Sequence, residues 1–307
     1  MSLHSIAVTG AFSYSGSYIA EAFLEAGWQV RTLTRRPERQ HRLQGKVEAL
    51  PLDFEDQPSL VAGLQGIEVL VNTYWVRFDY QGSSFAQAIR NSGRLFLAAR
   101  EAGVKRIVHL SVSNPDTNSE LPYYAGKAKV EHLLRESGVP HSILRPTLIF
   151  GEEELLVNNI AWLIRKAPLF VVPGDGQYCV QPIYVRDLAA LALREAQESE
   201  NHEVNAAAGE VLTYGDMIHF LKDLIGSETW LLYVPPAIAI GMARLLSIML
   251  RDVLLTHDEL DGLMQERLYV GDACIEGLAF SDWARENAQL LGAYYTNEIQ
   301  RHHQRNQ

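Results

Sequence analysis

The chain has 307 residues, 47% of them apolar, with 27 basic and 37 acidic side chains and a formal net charge of -10. At roughly 150 residues per domain this suggests two domains or one large one, with ample material for a core that needs no staples. So acidic a surface argues against nucleic-acid binding as the main task, because contact with phosphate backbones needs a basic face.

Taken in chain order, short apolar runs at 5–9, 29–34, 47–52, 68–73, 106–111 and 141–144 alternate with helical patterns at 15–26, 82–102 and 124–136. Strand–helix alternation of this kind predicts an α/β fold: a doubly wound parallel sheet with helices on both faces. Runs such as Ile6-Ala7-Val8-Thr9 are almost wholly apolar, as strands covered on both faces should be. After Pro146 the rhythm changes. A helix at 154–166 is followed by strand-like runs around Pro173-Gly174-Asp175-Gly176, a helix at 187–196, a strand at 203–206 and a helix at 214–225. The expected division is a sheet domain over 1–150, with 178–206 returning to it, and a smaller α+β substrate region over 151–307.

The apolar stretch 234–250 is shorter than the ~20 residues a spanning helix needs, and Arg244 sits near its middle. A buried or interfacial helix is expected there, not a membrane span. The opening MSLHSIAVTG has no basic segment followed by an apolar one, so no signal peptide is expected and a cytoplasmic location is the default, with peripheral membrane contact as the alternative. Cys179 and Cys274 stand alone, outside any CxxC pair, and the histidines are scattered, so neither a disulfide framework nor a metal site is expected.

The first apolar run leads directly into Gly10-Ala11-Phe12-Ser13-Tyr14-Ser15-Gly16 and a helix. This strand–turn–helix context gives a glycine pattern its meaning, because the helix N-terminus offers N–H groups and partial positive charge to a pyrophosphate. Ser13 stands at the pattern's middle position; its Cβ narrows the gap, and its hydroxyl is a candidate phosphate donor. The second run ends in Arg35-Arg36 with no acidic residue at its tip, which suits a ribose 2′-phosphate and argues for NADP over NAD. Asp53-Phe54 follows the third run and is a candidate adenine contact; capping of the next turn is an equal alternative.

The fifth run ends near Ser111 and Ser113, and ten residues on comes Tyr123-Tyr124-Ala125-Gly126-Lys127. Tyr123 and Lys127 are four apart, on one helix face. An unperturbed tyrosine, pKa ~10, is a poor acid or base at neutral pH, and a nearby ammonium favours its phenolate. Tyr124 is a rival base, but its partner four residues on is the uncharged Ala128.

The segments TGAFSYSG (9–16), LTRRP (33–37), LDFED (52–56), REAGVKRIVHLS (100–111), YYAGK (123–127), ILRPTLIFG (143–151) and QPIYVRDLA (181–189) together resemble the short-chain dehydrogenase/reductase superfamily, in its extended and atypical branch. Within that branch the chain is most similar to NmrA-like proteins and to the group of the accessory NADP-binding subunit of respiratory complex I. The resemblance implies that Ser113 takes the catalytic serine's place, that Ser111 lies beside the nicotinamide and that Tyr123 transfers the proton. It implies that Lys127 binds the nicotinamide ribose and lowers the tyrosine pKa. Asn72, Thr73 and Tyr74 would line the cofactor, and Pro146, Thr147, Leu148 and Ile149 would pass the carboxamide. Two departures are Ser13, where a glycine is usual, and Asn114-Pro115-Asp116 after Ser113, which differs from sugar-nucleotide epimerases.

The leading expectation is an NADP-dependent oxidoreductase, with NAD possible, reducing a carbonyl or activated double bond of an apolar small molecule. A non-catalytic cofactor-binding sensor or assembly subunit is one alternative, and a nucleotide-sugar epimerase or dehydratase another. Trp162, Leu163, Phe170, Trp230, Tyr233 and the helix after Pro236 are candidates for the substrate side. A homodimer through the two long helices is a further expectation.

Overall fold

The structure, a computed structural model, describes residues 4–79, 82–272 and 274–297. The chain divides into two compact units, one taking the residues up to Pro146 with Val185–Ala206, the other Thr147–Tyr184 with the residues from Ala207 onward.

The first unit begins β1 (Ser5–Thr9), α1 (Tyr14–Glu25), β2 (Gln29–Thr34), β3 (Glu48–Pro51), α2 (Gln57–Leu64), β4 (Val69–Asn72), α3 (Phe85–Glu101), β5 (Arg106–Leu110), α4 (Pro122–Glu136) and β6 (His141–Pro146). The chain then enters the second unit with β7 (Ile149–Phe150), α5 (Leu155–Lys166), β8 (Leu169–Pro173), β9 (Cys179–Val180) and β10 (Ile183–Tyr184). It returns to the first with α6 (Val185–Glu195) and β11 (His202–Ala206). The remainder belongs to the second unit: β12 (Leu212–Thr213), α7 (Tyr214–Leu224), β13 (Trp230–Val234), α8 (Pro236–Leu250), α9 (His257–Met264) and α10 (Phe280–Glu286).

In the first unit seven parallel strands lie in the order β11-β6-β5-β4-β1-β2-β3. This is a doubly wound Rossmann sheet. Leu60 and Leu64 of α2, Leu95 and Phe96 of α3, and Val130 and Leu134 of α4 form one buried cluster with the strand residues Leu70, Ile107 and Ile143. From β1 the chain moves outward to β2 and β3, then crosses back to β4 on the other side. That reversal opens a crevice at the C-terminal strand ends, where such sheets bind ligands.

Helix α2 was not apparent from periodicity. It is short, only Leu60, Gly63 and Leu64 are buried, and Asp56 starts it by accepting from the Ser59 N–H (3.1 Å).

The chain returns at Val185, later than the expected 178, and a buried arginine ties down the far end of the returning segment. Arg106 on β5 donates to the carbonyls of Glu195 (2.7 Å) and Glu200 (2.6 Å) and to Ser142 Oγ (2.6 Å). Glu131 on α4, 2% exposed, accepts from both Arg145 (2.6 Å) and Arg135 (2.9 Å). Pairing of this kind offsets the cost of taking charge out of water.

The second unit is α+β. Its strands form three small pairs, β7 with β10, β9 with β12, and β8 with β13. Its core includes Phe150, Val157, Ile164, Met217, Phe280 and Trp283. Glu154 caps α5 by accepting from the N–H groups of Leu156 and Val157, both at 2.6 Å. Among the described residues no helix is long and apolar enough to cross a membrane.

Candidate functional site

The turn between β1 and α1 is closed on itself. Gly10 has φ +71°, and a Cβ on Gly16 would lie 2.2 Å from the Gly10 carbonyl oxygen, so neither position tolerates a side chain. The close approach at Gly16 is therefore to the turn itself. Ser13 donates to that same carbonyl from its backbone N–H (2.8 Å) and its Oγ (2.7 Å). Its hydroxyl is thus engaged inside the turn. The Ser13 side chain caps no N–H of α1, so its hydroxyl does not compete at the helix N-terminus. Phe12 is buried with its ring 5.1 Å from His41. Tyr14 packs edge-on to Tyr18, and Ser15 is half-buried.

Beyond the tips of β2 and β3 lies a cavity of about 280 Å³, lined by Arg35, Asp53, Phe54, Tyr74, Gln87 and Asn91 among others. Arg35 is exposed, whereas Arg36 is half-buried with its N–H on Thr34 Oγ1 (3.2 Å). Asp53 Oδ1 accepts from the Glu55 N–H (2.9 Å), a contact of the capping alternative, and the residue also lines the cavity. Phe54 and Tyr74 pack with centroids 4.6 Å apart, and Asn91 Nδ2 donates to the Tyr74 hydroxyl (2.9 Å).

A buried polar chain joins the ends of β1, β4 and β5. Thr9 Oγ1 donates to Asn72 Oδ1 (3.0 Å), which also accepts from the Tyr74 N–H (3.1 Å); Asn72 Nδ2 meets His109 Nδ1 (3.1 Å). Thr73 bonds back to Thr9 through both its N–H and its hydroxyl. Asn72 is the last residue of β4 and fully buried, so its amide positions this loop. Burial holds the His109 imidazole well below its usual range, and the Lys127 charge adds to that.

Lys127 Nζ reaches from α4 to donate to the Leu110 carbonyl at the end of β5 (2.8 Å). Burial pushes it down to about 7, opposed by Glu131. Its ammonium also lies 4.9 Å from the centroid of the Trp75 ring, a cation–π contact. One residue past Leu110, the buried Ser111 Oγ has no hydrogen-bond partner among the described residues. Ser113 is fully buried, its N–H on the Pro146 carbonyl (2.9 Å). One turn before Lys127, the half-buried Tyr123 has its ring edge-on to Trp75 (6.1 Å) and Phe85 (6.0 Å). Tyr124 is 6% exposed and packs with Val112 and Leu121. Thr147, Leu148 and Ile149 lie in the second unit, where Thr147 Oγ1 donates to the Gln181 carbonyl.

The sequence pattern of the NmrA-like family matches residues 3–160, more than half of the chain. The chain belongs to the NmrA-like family. It is 26% identical over 249 residues to the mitochondrial NADH dehydrogenase (ubiquinone) 1 alpha subcomplex subunit 9 of Arabidopsis thaliana, covering 77% of this chain and 61% of that one. It thus spans about three fifths of that relative's length. It is 28% identical over 265 residues to sterol demethylase protein B of Methylococcus capsulatus, covering 78% and 80%. Among solved structures, Citrobacter sp. triphenylmethane reductase complexed with NADP(H) matches with a TM-score of 0.72 at 19% identity, covering 97% of this chain and 98% of that one. The Escherichia coli NADPH-dependent quinone oxidoreductase complexed with NADPH matches with a TM-score of 0.73 at 22% identity, covering 87% and 92%. Likenesses at these identities speak to a shared fold.

In this NmrA-like chain several site residues escape sequence reasoning. Trp75, Phe85 and Asn91 carry no motif of their own. A signal did exist for Trp75: a Cβ on Gly126, inside YYAGK, would stand 3.0 Å from its ring. Among the described residues no cluster of His, Cys, Asp or Glu is arranged to hold a metal ion.

Proposed function

We propose that the protein is an NADP-dependent oxidoreductase that reduces a carbonyl or activated double bond of an apolar small molecule. The observation that carries this reading is the meeting of the Tyr123–Lys127 turn of α4 with the serine-tipped end of β5, through the Lys127–Leu110 bond (2.8 Å). The residues fit a dinucleotide: a glycine turn that excludes side chains, a cavity lined by Arg35 and aromatic rings, and the Ser111 Oγ, unpartnered among the described residues.

In this reading the Gly10–Gly16 turn and the N-terminus of α1 hold the pyrophosphate, Arg35 pairs with the 2′-phosphate, and Asp53, Phe54 and Tyr74 border the adenine. The nicotinamide ring, when bound, supplies hydride-transfer chemistry. Ser113 holds the substrate oxygen and Tyr123 donates the proton to it. An ammonium has three donors, so Lys127 keeps two beyond its bond to Leu110 for the ribose and for favouring the Tyr123 phenolate. The half-buried rings of Trp75, Phe85 and Tyr123 border this spot and favour an apolar substrate.

A second reading, a dinucleotide-binding subunit without turnover, is favoured by the Trp75 ring covering the ammonium on which proton transfer would depend. The names of the Citrobacter and Escherichia coli neighbours support a reductase, and the name of the Arabidopsis relative supports a subunit. The deciding experiment follows NADPH oxidation by the purified protein against a panel of quinones and aryl carbonyls. Turnover lost in Tyr123→Phe supports the enzyme; tight NADPH binding without turnover supports the subunit.

A further inference from the structure

Helix α8 carries a second, bulkier apolar stripe on the side away from its packed face. Ala239 and Ile240 are its buried residues. Nearly opposite them on the helix, Ile238, Met242, Leu245 and Met249 recur at i, i+4, i+7 and i+11 and are 52%, 38%, 63% and 72% exposed. Ile248, 75% exposed, widens this stripe on the side where Arg244 stands. A helix that packs on a domain normally turns its apolar face inward, and an exposed apolar patch of this extent marks an interaction surface.

We propose that α8 docks the protein flat on an anionic lipid bilayer. The charge pattern argues for that occupant. From Thr229 to Arg251 there is no acidic residue, while Arg244 and Arg251 are present, in a chain whose net charge is -10. Both arginines are exposed, and neither has an ion-pair partner among the described residues. At the border of the stripe, Arg244 can bury its stem and hold its charge at the level of lipid phosphates. At ~1.5 Å per residue α8 is about 22 Å long, short of the ~30 Å hydrocarbon core. A helix of this kind lies in the interface plane.

A second copy of the chain is a poorer occupant. Two-fold pairing through this stripe would bring both copies' arginines into one interface with no acid to meet them. The C-terminal residues 298–307 have one aliphatic side chain, Ile299, too little to cover the stripe.

The test is flotation of the full chain with phosphatidylcholine vesicles, with and without phosphatidylglycerol, alongside sedimentation velocity without lipid. The chain is expected to float with the anionic vesicles as a monomer in solution. Leu245→Glu, at an exposed position, should keep its melting transition and lose at least tenfold in partitioning. Arg244→Gln should lose roughly fivefold on anionic vesicles and change little on neutral ones. Absence of flotation overturns the proposal, as does a solution dimer that Leu245→Glu dissociates. Equal flotation of Arg244→Gln and the parent on anionic vesicles would also overturn it. Should Leu245→Glu fail to fold, Ile248→Gln makes the same test. None of these readings depends on turnover, so the reductase proposal stands or falls separately.

Discussion

The Trp75 indole lies over the Lys127 ammonium, 4.9 Å from ring centroid to Nζ, and it packs so close to Gly126 that a Cβ there would stand 3.0 Å from the ring. The lysine is thereby shut off from water, and among the described residues its hydrogen-bond acceptor is the Leu110 carbonyl.

This burial sets a pH dependence. Lys127 releases its proton near 7 in the folded chain and near its ordinary 10.5 when unfolded. Between those values the unfolded state binds more protons, so stability rises with pH. Urea unfolding of the ligand-free protein should show a gain on the order of a few kcal/mol between pH 7 and pH 10. Above pH 10 Tyr178 and Tyr214 act the other way, because burial holds both phenols protonated in the folded chain. Lys127→Met should be flat across that window. A parent whose stability falls from pH 7 to pH 9 would contradict the burial.

Arg35 lines the cavity, whereas Arg36 is not among its lining residues and its backbone N–H donates to Thr34 Oγ1. A charge-assisted bond to phosphate contributes ~1.5–3 kcal/mol. Arg35→Ala should therefore erase roughly tenfold or more of the preference for NADPH over NADH in calorimetric titration. Arg36→Ala should leave most of it. Equal affinity of the parent for the two cofactors would remove the basis of this assignment.

Tyr123 and Tyr124 are separated by environment. Tyr124 is buried with Val112 and Leu121, whereas Tyr123 is half-buried among aromatic rings. With a substrate in hand, Tyr123→Phe should lower turnover by ~10²–10⁴ with little change in cofactor affinity. Tyr124→Phe should leave turnover within a few-fold. The reverse pattern would move the proton donor to Tyr124.

Gly16→Ala places a Cβ 2.2 Å from a backbone oxygen that Ser13 already holds twice. The turn must open to admit it. The expected result is a loss of ~3 kcal/mol or more in thermal or urea stability, together with loss of dinucleotide binding. Ala102→Gly, past the end of α3, is the control for a small-residue change elsewhere in the sheet unit. A Gly16→Ala protein with parental stability and affinity would show that the turn is not under this constraint.

What could be read from the sequence was what local geometry decides. The glycine turn closes over a few residues, Ser13 onto Gly10, and its pattern is visible in eight letters. The central strands of the first unit, β1, β4 and β5, are almost wholly buried and read as apolar runs. Hidden were the elements defined by distant contacts. Strand β13 pairs with β8, some sixty residues earlier in the chain, and neither run announces its partner. Trp75 belongs to a loop, and its role depends on Gly126 and Lys127 about fifty residues away. The apolar run that forms α8 reads from sequence as buried or interfacial, but which side chains it leaves outward needed the fold, where Ala239 and Ile240 are buried and Ile238, Leu245, Ile248 and Met249 are exposed.

The Arg106 anchor has a consequence for synthesis of the chain. The family-matched stretch, residues 3–160, emerges from the ribosome before Glu195, Glu200 and β11 do. Until they emerge, Arg106 keeps Ser142 and the His141 carbonyl but lacks its acceptors at Glu195 and Glu200. Strand β6 meanwhile presents an unpaired edge, an invitation to association with other nascent chains. Completion of the sheet must therefore wait for residue 206. A shortened gene ending at the family boundary should yield aggregate, although every glycine, serine, tyrosine and lysine of the proposed catalytic and pyrophosphate sites would be present in it.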